Sequence, residues 1–169
     1  LNRRALLDFA ETLGAQTADS RLLIIDIDCF KTINDTHGHV AGDMVLREFS
    51  RLIRDRVRNS EFLARYGGEE FAFVMPEADL EGAWIFAETI RRKIEGHRFD
   101  CSGTRLKVTV SIGGAALIDD MKGPDDLIAA AEVIDTASSA GRKTIVVGNG
   151  GSAGIASHVA VDLVKAAGR

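Results

Sequence analysis

The sequence predicts an α/β fold, and three observations support that prediction. Short runs rich in β-branched residues and leucine alternate with longer segments whose apolar residues recur at helical spacing. The chain has 169 residues, the size of one ordinary domain, and 46% of them are hydrophobic, which is enough for a substantial core. No internal repeat or low-complexity segment interrupts the alternation.

The first half of the chain predicts a helix, a strand, a second helix and a hairpin. Residues 3–16 carry leucine and alanine at helical spacing, and residues 21–28 (RLLIIDID) form a short apolar run that ends in two acids. Residues 42–58 place valine, leucine, isoleucine and phenylalanine on one helical stripe. Two short strands follow at 62–66 and 71–75, with two glycines between them as a hairpin turn.

The second half predicts a helix, a strand and then a helix, strand and helix. Residues 78–95 are amphipathic, and residues 106–117 alternate as a strand does. Residues 124–139 open with Pro-Asp-Asp, which is typical of a helix start. A β-branched strand at 144–147 and a helix at 152–167 complete the chain. Composition changes near residue 130, after which alanine, glycine and serine dominate and aromatic residues are absent.

Charge and cysteine content exclude some classes of function. A net charge of -4 and a pI near 5.6 argue against a nucleic-acid polymer as partner, although they leave mononucleotides open. Cys29 and Cys101 show no disulfide-framework or CxxC spacing, as expected of reduced thiols. No signal peptide or membrane-spanning apolar run is evident, so we expect a cytoplasmic protein that does not contact a membrane.

Acidic residues close one strand and occupy the hairpin beside it. Asp26 and Glu69 would therefore lie on neighbouring strands, where they could bind one or two divalent ions. Oxygen-only ligands suit magnesium, which keeps waters and bridges phosphates. Gly67 and Gly68 have no side chains, so a phosphate or ribose can approach the backbone there. The alternative is a solvated acidic hairpin without a ligand.

Several motifs in one order resemble a known family. The strings are LNRRALLDFAETL, DIDCFKTINDTHGHVAGD, ARYGGEEFAFVMP and LKVTVSIGGAAL. Together they make residues 1 to about 130 similar to a GGDEF domain, the catalytic domain of diguanylate cyclases, in its GGEEF form. The resemblance implies a ferredoxin-like, polymerase-palm type α/β domain. It also implies that two GTP-loaded domains form a homodimer, in which each 3′-hydroxyl attacks the other α-phosphate to give cyclic di-GMP and two pyrophosphates.

The resemblance also implies roles for individual residues. Asp26, the Ile27 carbonyl and Glu69 would hold Mg²⁺ (or Mn²⁺), and Glu70, or Glu69 through its metal, would help deprotonate the attacking hydroxyl. The GTP-binding residues would be Phe30, Lys31 and His39 along the nucleotide, Asn34 and Asp43 at the guanine edge, and Gly67 and Gly68 at the phosphates and ribose. Taken alone, Asn34 could belong to a turn, Asp43 to a helix start and His39 to a solvated loop.

Four departures from the family pattern predict weak or absent turnover and doubtful feedback inhibition. The family's RxxD product-inhibition set reads RNSE here, with Glu61 in place of Asp. Farther on, Ala131, Asp135 and Ser138 stand where the family has Asp, Tyr and a phosphate-binding Lys. Gly-Arg survives after them, which leaves Arg142 as a phosphate ligand.

The last part of the chain resembles a different family. Residues 132–169, with GRKTIVVGNGGSAGIASHVAVDLVKAAG, are similar to the start of a SIS-domain phosphoheptose isomerase, a Rossmann-like βα unit. The resemblance implies a phosphosugar loop made of Gly148, Asn149, Gly150, Gly151 and Ser152. His158 and Asp162, four residues apart, resemble an incomplete zinc pair.

The two resemblances predict a GGDEF-like domain over 1–131 and a SIS-like helix-strand-loop-helix tail over 132–169 that completes the same fold. An engineered or recombined chimera would explain the join. Three functions follow as hypotheses: a magnesium-dependent diguanylate cyclase, a GGDEF-like scaffold that binds GTP without turnover, and a phosphosugar-binding fragment.

Overall fold

The computed structural model describes residues 20–116 and 144–147, so the helices predicted at 3–16, 124–139 and 152–167 lie outside the described residues. The elements are β1 (Arg21–Ile27), α1 (Phe30–His37), α2 (His39–Arg54), β2 (Phe62–Arg65), β3 (Glu70–Met75), α3 (Leu80–Gly96), β4 (Phe99–Cys101), β5 (Thr104–Leu106), β6 (Val110–Ala116) and β7 (Thr144–Val147). The predicted α/β class is confirmed.

The main sheet has five strands in the order β2-β3-β1-β6-β7. Neighbours are antiparallel except β6 and β7, which are parallel. Strand β1 lies in the centre and is buried on both faces, since Leu22, Leu23, Ile24 and Ile25 all have almost no exposed surface. That explains why its sequence is a continuous apolar run rather than an alternation. The strand predicted at 144–147 is confirmed and extends the sheet beside β6.

Helices α2 and α3 share one core with one face of the sheet. Leu23, Ile25 and Ile27 of β1 belong to the same buried cluster as the apolar stripes of both helices. Within this cluster, the ring centroids of Phe49 and Phe71 lie 4.6 Å apart. The face opposite carries the even-numbered residues of β1, and it continues into Asp26 at the end of the strand.

Helix α1 was not predicted. It begins after Cys29, which has a left-handed φ of 57° and makes no side-chain capping hydrogen bond. The sequence therefore lacks an N-cap signal for this helix, and its eight residues are too few for a clear helical periodicity. Gly38, with φ of 82°, separates α1 from α2, which begins at residue 39 rather than 42. The stretch Asn-Asp-Thr, which alone is typical of a turn, is therefore helical.

Helix α3 begins close to its predicted start. The side chain of Asp79 caps it by accepting a hydrogen bond from the Gly82 N–H at 2.7 Å. At its other end, the Lys93 ammonium donates to the Leu52 carbonyl of α2 at 2.8 Å, which ties the two helices together. A small hairpin, β4–β5, follows and was not predicted.

Candidate functional site

One row of polar residues crosses three strands at the end of β1. In the sheet register Asp26 lies opposite Glu70 of β3 on one side and opposite Ser111 of β6 on the other. Directly opposed residues point to the same face of a sheet, so these three side chains share one face. The register thus brings the acids of the strand and of the hairpin together, as the sequence predicted, with Glu70 rather than Glu69 directly across from Asp26.

The end of β1 is fixed from both neighbouring strands. The Ile27 N–H donates to the Glu69 carbonyl at 3.4 Å, which joins β1 to the hairpin. On the other side the Asp28 N–H donates to the Thr109 carbonyl at 3.0 Å. Because these contacts flank Ile27, its backbone carbonyl, for which the family resemblance implies a metal, lies in a segment held on both sides.

The glycine hairpin is held by an arginine that sequence reasoning missed. The Arg65 guanidinium donates to the Gly67 carbonyl at 3.2 Å and also to the Gly68 carbonyl. The turn spans residues 66–69, and the Tyr66 N–H donates to the Glu70 carbonyl at 2.8 Å. The only available signal was the position of Arg65 two residues before the glycine pair.

The two hairpin glycines serve different spatial needs. A Cβ at Gly67 would clash with the Glu70 carboxylate, so that side chain lies directly against the glycine. A Cβ at Gly68 would meet no atom within 4 Å, and Gly68 is exposed. Positive φ among the described glycines is confined to Gly38 and Gly103. Gly67 therefore makes room for Glu70, whereas Gly68 leaves open surface at which a ligand could approach.

The predicted nucleotide-binding residues of α1 and α2 differ in how far they are exposed to solvent. Lys31, near the start of α1, and His39 and Asp43, in the first turns of α2, are exposed, and Asn34 is half-buried. Phe30 is only 7% exposed and belongs to the core. Because Phe30 packs in the core, little of its surface is left to contact a nucleotide.

A glycine in α2 sets the position of Asn34. A Cβ at Gly42 would clash with the Asn34 side-chain oxygen and would come within 3.1 Å of the Phe30 ring. Gly42 is fully buried at the contact between the two helices. The glycine therefore allows the Asn34 amide to lie against α2 at Gly42, and this packing role was not visible in the sequence.

The donors at this edge fit magnesium or manganese. Asp26, Glu69, Glu70 and the Ile27 carbonyl offer only oxygen atoms, which hard divalent cations prefer. Over residues 20–116 and 144–147, no three or more His, Cys, Asp or Glu side chains are grouped so that they could hold a metal ion by themselves. An ion at this edge would therefore have to complete its coordination with substrate phosphates and water, as magnesium commonly does.

Asp28 is a second residue that sequence reasoning missed. Its carboxylate accepts hydrogen bonds from the Thr109 hydroxyl at 2.5 Å and the Ser111 hydroxyl at 2.7 Å. These residues are more than eighty positions apart in the chain, so only the pairing of β1 with β6 reveals the contact. The sequence signal was limited to a second acid after the strand.

A separate groove of about 570 Å³ lies at the opposite end of β3 from Glu70. Its lining includes Arg58, Glu61, Glu77, Phe86 and Thr89. The Glu61 carboxylate accepts from the Arg58 N–H at 2.7 Å, so this carboxylate closes the turn before β2. The RNSE segment therefore lies at this groove, with its acid engaged in a local contact.

Two of the predicted phosphate-binding features are not among the described residues. Arg142 and the loop residues 148–152 lie outside the described residues.

In the part of the chain that the structure describes, no helix has the length and apolar character that crossing a membrane requires.

Known proteins resemble the chain over most of its length. The family model for the diguanylate cyclase GGDEF domain matches residues 1–144, beyond residue 131, where the sequence predicted a boundary. The response regulator PleD of Caulobacter vibrioides is 42% identical over 138 residues, which cover 80% of this chain and 30% of that protein. Diguanylate cyclase A of Treponema denticola is 40% identical over 119 residues, which cover 70% of this chain and 32% of that protein.

The fold agrees with a solved structure. The GGDEF domain of DgcB from Caulobacter crescentus, in complex with c-di-GMP, matches with a TM-score of 0.76 at 28% identity, covering 86% of each chain. This chain spans about a third of the length of the two curated relatives. By the family match and by its structural neighbour, the chain belongs to the diguanylate cyclase GGDEF domain family.

Proposed function

We propose that the chain is a metal-dependent diguanylate cyclase domain that condenses two GTP molecules into cyclic di-GMP. The observation that carries the proposal is the row in which Asp26 lies opposite Glu70, next to a glycine hairpin with open surface at Gly68. The complex of a related GGDEF domain with c-di-GMP supports the same ligand chemistry.

The residues at the sheet edge would share the chemistry among them. Asp26, the Ile27 carbonyl and Glu69 would hold Mg²⁺ or Mn²⁺, and the bound ion would neutralise charge on the transferring phosphoryl group. Glu70, which lies against Gly67, would accept the proton of the attacking 3′-hydroxyl. The open backbone at Gly68 would admit the phosphates and ribose.

The helices would bind the base and the phosphates. The Asn34 amide, held against Gly42, and the exposed Asp43 carboxylate would hydrogen-bond the guanine edge. Lys31 and His39 are exposed nearby and would contact the nucleotide, with Phe30 beneath them contributing a small part of its ring. Arg142 would add a phosphate contact. A homodimer would be needed, because each half-site supplies one GTP.

We expect turnover to be weak, because Ser138 stands where the family has a phosphate-binding lysine. Product inhibition would be weak as well, since the Glu61 carboxylate already accepts a hydrogen bond from Arg58. The SIS-like interpretation of residues 132–169, with its phosphosugar loop and chimeric origin, has no support from the comparisons and stays a prediction.

The test is the formation of cyclic di-GMP from GTP and magnesium at high protein concentration, together with thermal melting. Saturating GTP with magnesium should raise the melting temperature, because a ligand that binds only the native state stabilises it. Asp26→Ala and Glu69→Ala should abolish both the shift and the product. The matched control is Glu81→Ala, which removes an exposed acid from the first turn of α3. A wild-type melting curve that GTP and magnesium do not move would refute the nucleotide site.

A further inference from the structure

We propose that Asp28 is a positioning residue for metal and nucleotide binding, because it ties the turn between β1 and α1 to strand β6. The inference rests on the function proposed above and extends it to a residue that takes no direct part in the chemistry. Its consequence is that Thr109 and Ser111, two hydroxyl residues far from the hairpin in sequence, control the affinity for magnesium and GTP.

Three hydrogen bonds join this turn to β6 and its approach. The Asp28 N–H donates to the Thr109 carbonyl at 3.0 Å, and each of the two carboxylate oxygens accepts one hydroxyl, from Thr109 at 2.5 Å and from Ser111 at 2.7 Å. Ser111 is buried, and Asp28 and Thr109 are half-buried. Such partly shielded bonds to a carboxylate are stronger than neutral ones. Asp28 is thus held by its backbone and by both of its oxygens.

The turn that Asp28 holds connects two parts of the proposed site. Ile27, immediately before it, carries the carbonyl assigned to the metal, and Lys31, three residues after it, is an exposed residue of α1. Between them Cys29 has φ of 57°, a left-handed conformation that strains a non-glycine residue and persists only where its surroundings hold it. Helix α1 begins directly after Cys29 without a side-chain cap. External bonds at Asp28 therefore fix the direction in which α1 leaves the sheet.

The same bonds argue against Asp28 as a metal ligand. Each of its carboxylate oxygens already accepts one hydroxyl, so an ion bound there would have to share the oxygen with that hydrogen bond. Ser111 lies directly opposite Asp26 in the register, so the Asp28–Ser111 bond also borders the acidic row. Groups that orient ligands in this way commonly affect metal affinity by about 10- to 100-fold when they are removed.

The experiment measures magnesium-dependent GTP binding by titration calorimetry on the full chain, at a temperature where circular dichroism shows every variant folded. The variants are Asp28→Asn, the pair Thr109→Val with Ser111→Ala, and all three changes combined. We expect Asp28→Asn and the hydroxyl pair each to weaken the apparent magnesium affinity about tenfold or more. The combined variant should bind magnesium only slightly more weakly than Asp28→Asn or the hydroxyl pair, because all three changes remove the same hydrogen bonds between Asp28 and the two hydroxyls.

Two controls separate positioning from its alternatives. Ser50→Ala removes a half-buried hydroxyl that bonds only within α2, and it should leave the binding constants unchanged. If Asp28→Asn weakens binding while the hydroxyl pair does not, Asp28 acts as a direct ligand and the positioning role is refuted. If the variants lose melting temperature but keep wild-type affinities, the bridge is only structural and the inference fails. A wild-type chain that binds no GTP would instead overturn the proposed function along with it.

Discussion

Two partly buried carboxylates in this protein are held in different ways. On α3, Glu88 accepts hydrogen bonds from the guanidinium groups of Arg91 at 2.8 Å and Arg92 at 2.7 Å. At the end of β1, Asp28 accepts two hydroxyl groups from the β6 side of the sheet. The arginines supply positive charge as well as donors, whereas the hydroxyls supply donors alone.

The difference indicates what each region is built for. On α3 the opposite charges compensate each other: the guanidinium groups of Arg91, the larger contributor, and Arg92 lower the pKa of Glu88 to about 2. Arg91 also pairs with Glu95 at 2.8 Å. Neutral donors at the sheet edge fix the geometry of Asp28 without adding positive charge beside Asp26. The cation site proposed for the sheet edge would benefit from the second arrangement, since added positive charge there would compete with the ion.

The largest expected effect is a loss of rate when the geometry of the glycine hairpin is changed, whereas a similar change on α3 should have no effect. Gly67→Ala would push a methyl group into the Glu70 carboxylate, and a misplacement of about 1 Å in a catalytic group can cost on the order of a hundredfold in rate. We expect the rate of cyclic di-GMP formation to fall by that order. The control is Gly96→Ala at the end of α3, where a Cβ would meet nothing within 4 Å. Equal rates in both variants would show that the position of Glu70 does not matter.

A smaller effect should follow from a positive charge added to the protein at the position where the family contacts the nucleotide's phosphates. Ser138→Lys restores the phosphate-binding lysine of the family pattern. A charge-assisted hydrogen bond is worth about 1.5–3 kcal/mol, so GTP affinity should rise by roughly one to two orders of magnitude. Titration with GTP measures the change, and Ser139→Lys, one residue away, is the matched control. An identical gain in both variants would point to general electrostatic attraction and not to a phosphate contact.

The smallest effect should be seen on α3, in stability alone. Glu88→Gln removes the ion pairs of Glu88 with Arg91 and Arg92, each of a kind that typically contributes about 0.2–1 kcal/mol, and it should leave GTP binding unchanged. The pKa of Glu88 is depressed from 4.5 to about 2, so its contribution is present above pH 4.5 and is lost as the pH falls toward 2. The difference in unfolding free energy between wild type and variant should therefore shrink over that interval. A difference that stays constant from pH 7 to pH 2 would contradict the charge-pair origin.

Much of the sheet could be predicted from the sequence because its strands have strong local signals. The run at β1, the paired strands at the glycine hairpin and the β-branched strand β7 were each recognised near their observed positions. Helix α1 was missed because its start depends on the left-handed Cys29, which resembles no cap. The β4–β5 hairpin consists of two three-residue strands, and only the Ser102-Gly103 dipeptide marks its turn.

Those site residues that lie in recognisable local motifs could be predicted from the sequence, whereas contacts that depend on strand or helix pairing could not. Asp26 and the hairpin acids were identified from their motifs, and the β1–β3 register then added that Glu70 is directly across. The contact of Asp28 with Thr109 and Ser111 requires the β1–β6 pairing, which no local pattern specifies. The need for glycine at position 42 depends in the same way on how α1 packs against α2.

The central position of β1 determines the order in which this sheet can be assembled during synthesis. Arg21 pairs with Met75 on one side and with Ala116 on the other, so β1 leaves the ribosome long before either neighbour is available. Pairings between such distant residues form slowly, because a long loop must close first. A nascent chain that ends before β6 would have the acids of β1 and the hairpin but no Ser111 or Thr109. We therefore expect a ribosome-bound fragment of that length to keep β1 open to chaperones, with the sheet edge completed only after β6 has emerged.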